Sequence, residues 1–369
     1  MKNKNILIDY LGTDGSGPVF SLEMAKGLAS NGYSVYAVIS ENVDNLNDWE
    51  SAAFLKKVVL MPTHSSKKEL LLKWYKFGLY VGFIAKKELG NITFDCVVRT
   101  FPHPMLNAVE RFLHIGKNVT ICHDPIPHSG EALLAKIRNY LVMKKADSVI
   151  VLTRKFISPV VRLYNKSESN VFYMPHGKMS QYKEKQQQRD VIHFEENKVY
   201  FLFFGRIEDY KGIKILGEAF LKLEKEFDNV ELVVAGNGSF EAYENIYSKI
   251  NHLHLINRYI LDEEVGTFFN HKNVVTVVPY LDATQSGVIP IALEYGNPII
   301  ASNTGGLVEQ LDDGKIGVFV EAGSVESLYS GMKELLIDAQ LYKEQAVKSK
   351  MFSEKLEWEN VTKVFSKII

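Results

Sequence analysis

Short apolar runs rich in Val, Ile and Phe alternate with segments of helical period along nearly the whole chain. That alternation predicts parallel sheets covered by helices. In the first half the strand-like runs are Asn5–Tyr10, Ser34–Ile39, Phe94–Arg99, Asn118–Cys122, Ser148–Leu152 and Asn170–Met174. Helical pattern lies between them, as at Val19–Ser30, which meets a stop signal at Asn31-Gly32. The polar stretch Ser180–Asn197 has no apolar period and reads as a linker with a lead-in strand. A second series follows at Val199–Phe204, Val230–Ala235, His252–Ile256, Val274–Val278 and Pro298–Ala301, and the tail from Ser324 is helical in composition. The pattern predicts two doubly wound α/β domains, 1–178 and 198–353, joined by 179–197, with a last helix at about 354–369 packing back on the first. Ligands of such sheets bind at the carboxyl ends of strands, so the expected site is a cleft faced by both domains.

Composition narrows the class. The 369 residues, 46% apolar and 24% charged, supply two cores without a metal or disulfide staple. Cys96 and Cys122 both fall in apolar strands and read as reduced core thiols. The opening MKNKNILIDYLG carries no signal peptide, and no apolar run reaches the roughly 18–20 residues that span a bilayer, so a cytoplasmic enzyme is expected. The net charge of −1 conceals an asymmetry. Residues 1–178 hold 23 Lys and Arg against 15 Asp and Glu, whereas the remainder holds 20 against 29. A basic first half suits an anionic partner or surface, and the acidic second half with no base-reading motif argues against nucleic acid.

Two stretches carry chemistry. In FFGRIEDYKGI (Phe203–Ile213) a buried strand ends at Gly205, Arg206 emerges in the loop, and Lys211-Gly212 opens the next helix. Two cations five positions apart at a strand's carboxyl end suit a diphosphate, although the same residues also fit an unliganded surface turn. In Val278–Glu309 a strand runs into Pro279-Tyr280, and the small-residue turn Ala283–Gly287 leads into a helix. Free amides of Ser286, Gly287 and Val288 at that helix start are expected to form an anion site aided by the helix dipole. A further small turn follows at Thr304-Gly305-Gly306. His103, His114 and His128 show no metal-ligand spacing, and no zinc-type set of Cys and His is present.

In order along the chain stand GR…KG, AGNG (Ala235–Gly238), the Tyr259–Phe269 segment, PY…SG…P…A…G.P.IAS…GG..E and DG..G. Before them come a glycine-rich loop (Gly12, Gly15, Gly17), Ile121-Cys122-His123-Asp124, Ala146–Ile150 and Pro175-His176-Gly177. This order resembles retaining glycosyltransferases of the GT-B fold, family 4. The resemblance implies transfer of a hexosyl group from a nucleoside-diphosphate sugar, by family frequency a UDP-sugar, to a saccharide acceptor. It further implies a polyprenyl-diphosphate-linked acceptor in surface polysaccharide (O-antigen or capsule) synthesis. It assigns catalysis to Arg206, Lys211 and His123, with no protein nucleophile. It assigns donor binding to Gly15, Gly17, Gly205, Ser286, Gly287, Val288 and Arg258, and His176 is architectural. No cofactor and no metal are expected. One departure stands out: family members carry two glutamates eight positions apart, and in the register set by Gly296 those positions are Ala283 and Ile291. Asp282 and Glu294 are the candidate substitutes, beside an ATQSG-type turn. The missing pair keeps open a degenerate nucleotide- or glycan-binding protein. A nucleotide-sugar epimerase or a sugar phosphorylase of the same fold also remains open.

Ser66–Leu89 carries six lysines, at 67, 68, 73, 76, 86 and 87, against Glu69 and Glu88, interleaved with Trp74, Tyr75, Phe77, Tyr80 and Phe83. Such a helix either packs its aromatics in the core or lays them at the headgroups of an anionic membrane. With the basic first half, the second reading places the enzyme on the inner face of the plasma membrane.

Overall fold

A computed structural model describes residues 4–63, 67–125, 133–185 and 191–369. The chain divides into two compact units, Met1–Gly177 with Glu357–Ile369, and Lys178–Leu356. Each is a parallel sheet covered by helices.

The first sheet contains β1 (Asn5–Tyr10), β2 (Ser34–Ser40), β3 (Leu55–Met61), β4 (Thr93–Arg99), β5 (His114–Cys122), β6 (Ser148–Val151) and β7 (Val171–Tyr173). Its spatial order is β3-β2-β1-β4-β5-β6-β7. β3 has no counterpart among the expected strands: Lys56 and Lys57 interrupt its apolar run, as an edge strand tolerates. On one face Ile6, Ile8, Cys96, Val98 and Ile121 pack under the Ser16–Ser30 helix and the chain's end, through Trp358, Val361, Phe365 and Ile368. Gly27 leaves room for that end, since a Cβ there would lie 2.5 Å from the Trp358 carbonyl. On the other face Leu7 and Val97 pack with Val81, Ala85 and Leu89 of the Lys67–Leu89 helix. Farther along this face Val149 and Val151 pack with Met143 of the Leu133–Lys145 helix and Val160 of the Ile157–Tyr164 helix.

The second sheet contains β8 (Val199–Phe204), β9 (Val230–Ala235), β10 (Leu253–Ile256), β11 (Val274–Val278), β12 (Ile299–Ser302) and β13 (Val318–Val320), in the order β10-β9-β8-β11-β12-β13. Its central strands are buried on both faces, which accounts for their unbroken apolar runs. Part of the expected linker belongs to this unit: Gln181–Glu184 is a helical turn, and residues 186–190 lie outside the described residues. No helix among the described residues is long and apolar enough to cross a membrane.

Candidate active site

Strand order reverses between β8 and β11, and such a switch point opens a crevice outside the carboxyl ends of the two strands. The loops that follow these strands are pressed together there. Gly212 has φ +72°, and a Cβ on it would lie 1.9 Å from the Pro279 carbonyl oxygen. The Leu281 N–H donates to the Tyr210 carbonyl at 2.7 Å. The clamp turns Lys211 inward, where it is 9% exposed and its Nζ lies 5.6 Å above the Tyr280 ring. A side chain starting at Gly205 would meet Lys211 Nζ at 3.3 Å and Val288 Cγ2 at 3.7 Å. Gly205, Lys211, Tyr280 and Val288 therefore converge on one place. Burial and the neighbouring Arg206 charge bring the Lys211 pKa down to about 8, against the pull of Glu208. Arg206 itself is 75% exposed at the rim, its Nη1 3.4 Å from Glu208 Oε1.

The turn into the Val288–Tyr295 helix corrects one expectation. Of the three amides, two are engaged within the protein: Ser286 N–H donates to Gln310 Oε1 at 2.7 Å and Val288 N–H to Ser286 Oγ at 3.2 Å. Only the Gly287 N–H lacks an intramolecular acceptor among the described residues. The turn is braced from behind by Gly305 and Gly306. Gly306 N–H donates to the Ala283 carbonyl at 3.1 Å, and Gly305, at φ +54°, leaves no room for a Cβ beside that carbonyl.

In the first unit the switch point falls between β1 and β4. The register there pairs Asp9 with Arg99, and Arg99 is held by Glu110, its Nε donating to Oε1 at 2.7 Å. Burial and the Glu110 charge push the Asp9 carboxyl well above the usual carboxylate range. The glycine-rich loop wraps the Tyr10 side chain: a Cβ on Gly17 would lie 2.5 Å from the Tyr10 hydroxyl, so packing accounts for this glycine. Gly15, at φ +75°, has open space around it. His123 follows β5, stacked on Phe101 with ring centroids 3.9 Å apart, and its Nε2–H donates to the Thr100 carbonyl at 3.0 Å. Burial brings its pKa down to about 4, so the ring is neutral at neutral pH. His176 is likewise neutral, packed between Phe20 and Trp358.

Residues 184–351 match the family model described as glycosyl transferases group 1. By this match the chain is similar to group 1 glycosyl transferases over that stretch. An uncharacterized glycosyltransferase of Methanocaldococcus jannaschii is 25% identical over 92% of this chain and 90% of its own. A lipopolysaccharide 1,2-N-acetylglucosaminetransferase of Salmonella typhimurium is 28% identical over 48% of this chain and 49% of its own. Among solved structures, Anabaena HepE in complex with UDP and glucose superposes with a TM-score of 0.69 at 12% identity, covering 98% of each chain.

Ala283 and Ile291, the positions where the resemblance leads one to expect two glutamates, are 2% and 4% exposed and apolar. Glu294 does not replace them, which corrects the expectation. It sits at the far end of the Val288–Tyr295 helix, where its carboxylate accepts from Ser353 Oγ at 2.8 Å and faces Lys178 Nζ at 3.6 Å. Arg258 lies between β10 and the Asp262–Phe269 helix. It pairs with Glu264 through two hydrogen bonds of 2.7 and 3.0 Å and donates to the Tyr259 carbonyl. Asp282 is exposed beside the turn. Glu208 and Gln310 escaped the sequence reading: each acts on a partner by geometry, and Gln310 lies 24 residues from Ser286.

Proposed function

We propose that the crevice at the β8/β11 switch point binds the diphosphate of a UDP-sugar, whose hexosyl group passes with retention to a lipid-carried saccharide. The observation that carries this reading is the enclosed Lys211 ammonium beside Gly205 and the start of the Val288–Tyr295 helix. A cation held in a place of low polarity interacts strongly with charge that develops on a leaving diphosphate. Arg206 at the rim adds a second cation, and the Gly287 N–H adds a neutral donor. As the anomeric C–O bond breaks, the electron pair stays on the diphosphate and these groups stabilise it; the acceptor hydroxyl oxygen bonds the anomeric carbon on the same face and its proton passes to the departing phosphate oxygen. No divalent cation is required, so transfer persists in EDTA.

The UDP in the HepE structure and the lipopolysaccharide acceptor in the Salmonella relative's name support the choice of donor and acceptor class. Exposed Tyr80 and Phe83 beside Lys86 and Lys87 support an anionic membrane surface as the place of action. Ser66 and the side chains of Trp74, Tyr75 and Phe77 lie outside the described residues. The test is release of UDP from a panel of UDP-sugars with undecaprenyl-diphosphate saccharides as acceptors. A second reading, a nucleotide-sugar binder without turnover, is favoured by the apolar Ala283 and Ile291; it predicts binding by calorimetry and no UDP release with any acceptor.

A further inference from the structure

The loop Arg206–Lys211 carries two cations and two acids, and only the cations have a part in the transfer reading. Asp209 is engaged elsewhere in the second unit, where the Tyr243 hydroxyl donates to its carboxylate. Glu208 faces the cations instead. Its Oε1 lies 3.4 Å from Arg206 Nη1, its Oε2 is buried, and its charge acts on Lys211 against burial and Arg206. Burial first, and the same Glu208 charge second, hold the Tyr210 hydroxyl above its ordinary range. A negative group thus stands beside both cations at the place assigned to a diphosphate.

The backbone that carries Glu208 is fixed. Ile207 N–H donates to the Asn237 carbonyl at 2.9 Å, and a Cβ on Gly238 would lie 2.3 Å from the Ile207 carbonyl oxygen, so these two loops touch. Glu208 itself is extended, with φ −142°, and its carbonyl accepts the Lys211 N–H at 3.0 Å. Its carboxylate can therefore leave Arg206 by rotation about side-chain bonds, with no rearrangement of the loop. The two side chains are 35% and 75% exposed, and so wetted an ion pair is weak enough for a multiply charged ligand to displace.

We propose that Glu208 is an internal competitor of the diphosphate: it holds Arg206 when the crevice is free, yields it to the donor, and takes it back as the nucleoside diphosphate leaves. This rests on the reading of the crevice as the donor site and gives a further side chain of that site a part in product release. A diphosphate anchored on Lys211 reaches the rim, where it meets Arg206 only by separating it from Glu208. The displaced carboxylate then lies near two phosphates, and the like-charge repulsion loosens the hold on the product. Two unopposed cations around an enclosed diphosphate would release it slowly, and slow release limits turnover. A monophosphate that stays on Lys211 leaves the Arg206–Glu208 pair intact.

The test is isothermal titration of UDP and UMP into the wild type, Glu208→Gln, Glu208→Ala, Arg206→Ala and the double variant Arg206→Ala/Glu208→Gln. The control is Glu334→Gln, which removes one negative charge at an exposed position of the Val325–Ile337 helix in the same unit. Both Glu208 variants should bind UDP about fivefold more tightly, the worth of a wetted ion pair, and the gain should appear as slower UDP release in stopped flow. UMP should gain less than about twofold, as should UDP when Glu208→Gln is made in the Arg206→Ala background. The control should match the wild type, and thermal unfolding shows that each variant is folded. Unchanged or weaker UDP binding in the Glu208 variants overturns the proposal, as does an equal gain for UMP or an undiminished gain without Arg206. Loss of UDP affinity in Lys211→Met with no gain in Glu208→Gln defeats the competitor alone. Unchanged affinity in Lys211→Met defeats the crevice reading and the competitor with it.

Discussion

Gln310 holds Ser286 at both ends of one residue: its Oε1 accepts the Ser286 N–H at 2.7 Å and its Nε2 donates to the Ser286 carbonyl at 3.0 Å. A side-chain amide thus does here what a strand partner does in a sheet, and it fixes the turn that presents the Gly287 N–H. Gln310→Ala leaves two backbone groups without their partner and should lower stability by about 1 kcal/mol and UDP affinity by roughly tenfold. Gln310→Glu keeps the acceptor but adds a negative charge behind an anion site, and should bind UDP more weakly still. Calorimetric titration of both variants checks the order.

Lys211 makes the site sensitive to pH. Its pKa of about 8 lies below its ordinary value of 10.5, so between those values the unfolded chain binds the extra proton. The buried cation therefore costs stability below about pH 8, and the cost is relieved as pH rises through that window. Lys211→Met should raise stability at neutral pH by on the order of 1–3 kcal/mol, measured by denaturant unfolding. A bound diphosphate favours the charged form, so UDP binding at about pH 8.5 should take up a fraction of a proton, visible in buffers of different ionisation enthalpy.

Glu294→Gln separates a structural role from a donor contact. The carboxylate ties the end of the Val288–Tyr295 helix to Ser353 and Lys178, and its loss leaves Lys178, Lys183 and Lys350 facing one another. Stability should fall by roughly 1–3 kcal/mol while UDP affinity stays at the wild-type value. A large loss of affinity with unchanged unfolding would return Glu294 to the site.

Gly305→Ala tests the brace behind the turn. At φ +54°, with no space beside the Ala283 carbonyl, an added methyl must push the two turns apart. We expect a loss of about 2–3 kcal/mol, read by thermal unfolding, and weaker UDP binding with it.

The two sheets were legible because central parallel strands are buried on both faces and leave unbroken apolar runs. Two of the four edge strands escaped: Lys56 and Lys57 mask β3, and β13 is only Val318–Val320. The cation pair was legible because Arg206 and Lys211 stand in one short loop beside a strand end. The amides of the Ser286 turn were not, because Gln310 claims one of them from 24 residues away and no local pattern announces it. Glu294 illustrates a related limit: sequence spacing placed it near the right helix, but which end and which face it serves depends on Ser353, 59 residues later.

The central claim is that the β8/β11 switch point holds a nucleoside diphosphate on Lys211. Isothermal titration of UDP into the wild type, Lys211→Met and Arg206→Ala tests it most directly. The account predicts wild-type binding, a loss of at least about tenfold for Lys211→Met despite its higher stability, and a smaller loss for exposed Arg206→Ala. Equal UDP affinity in the wild type and Lys211→Met would contradict it.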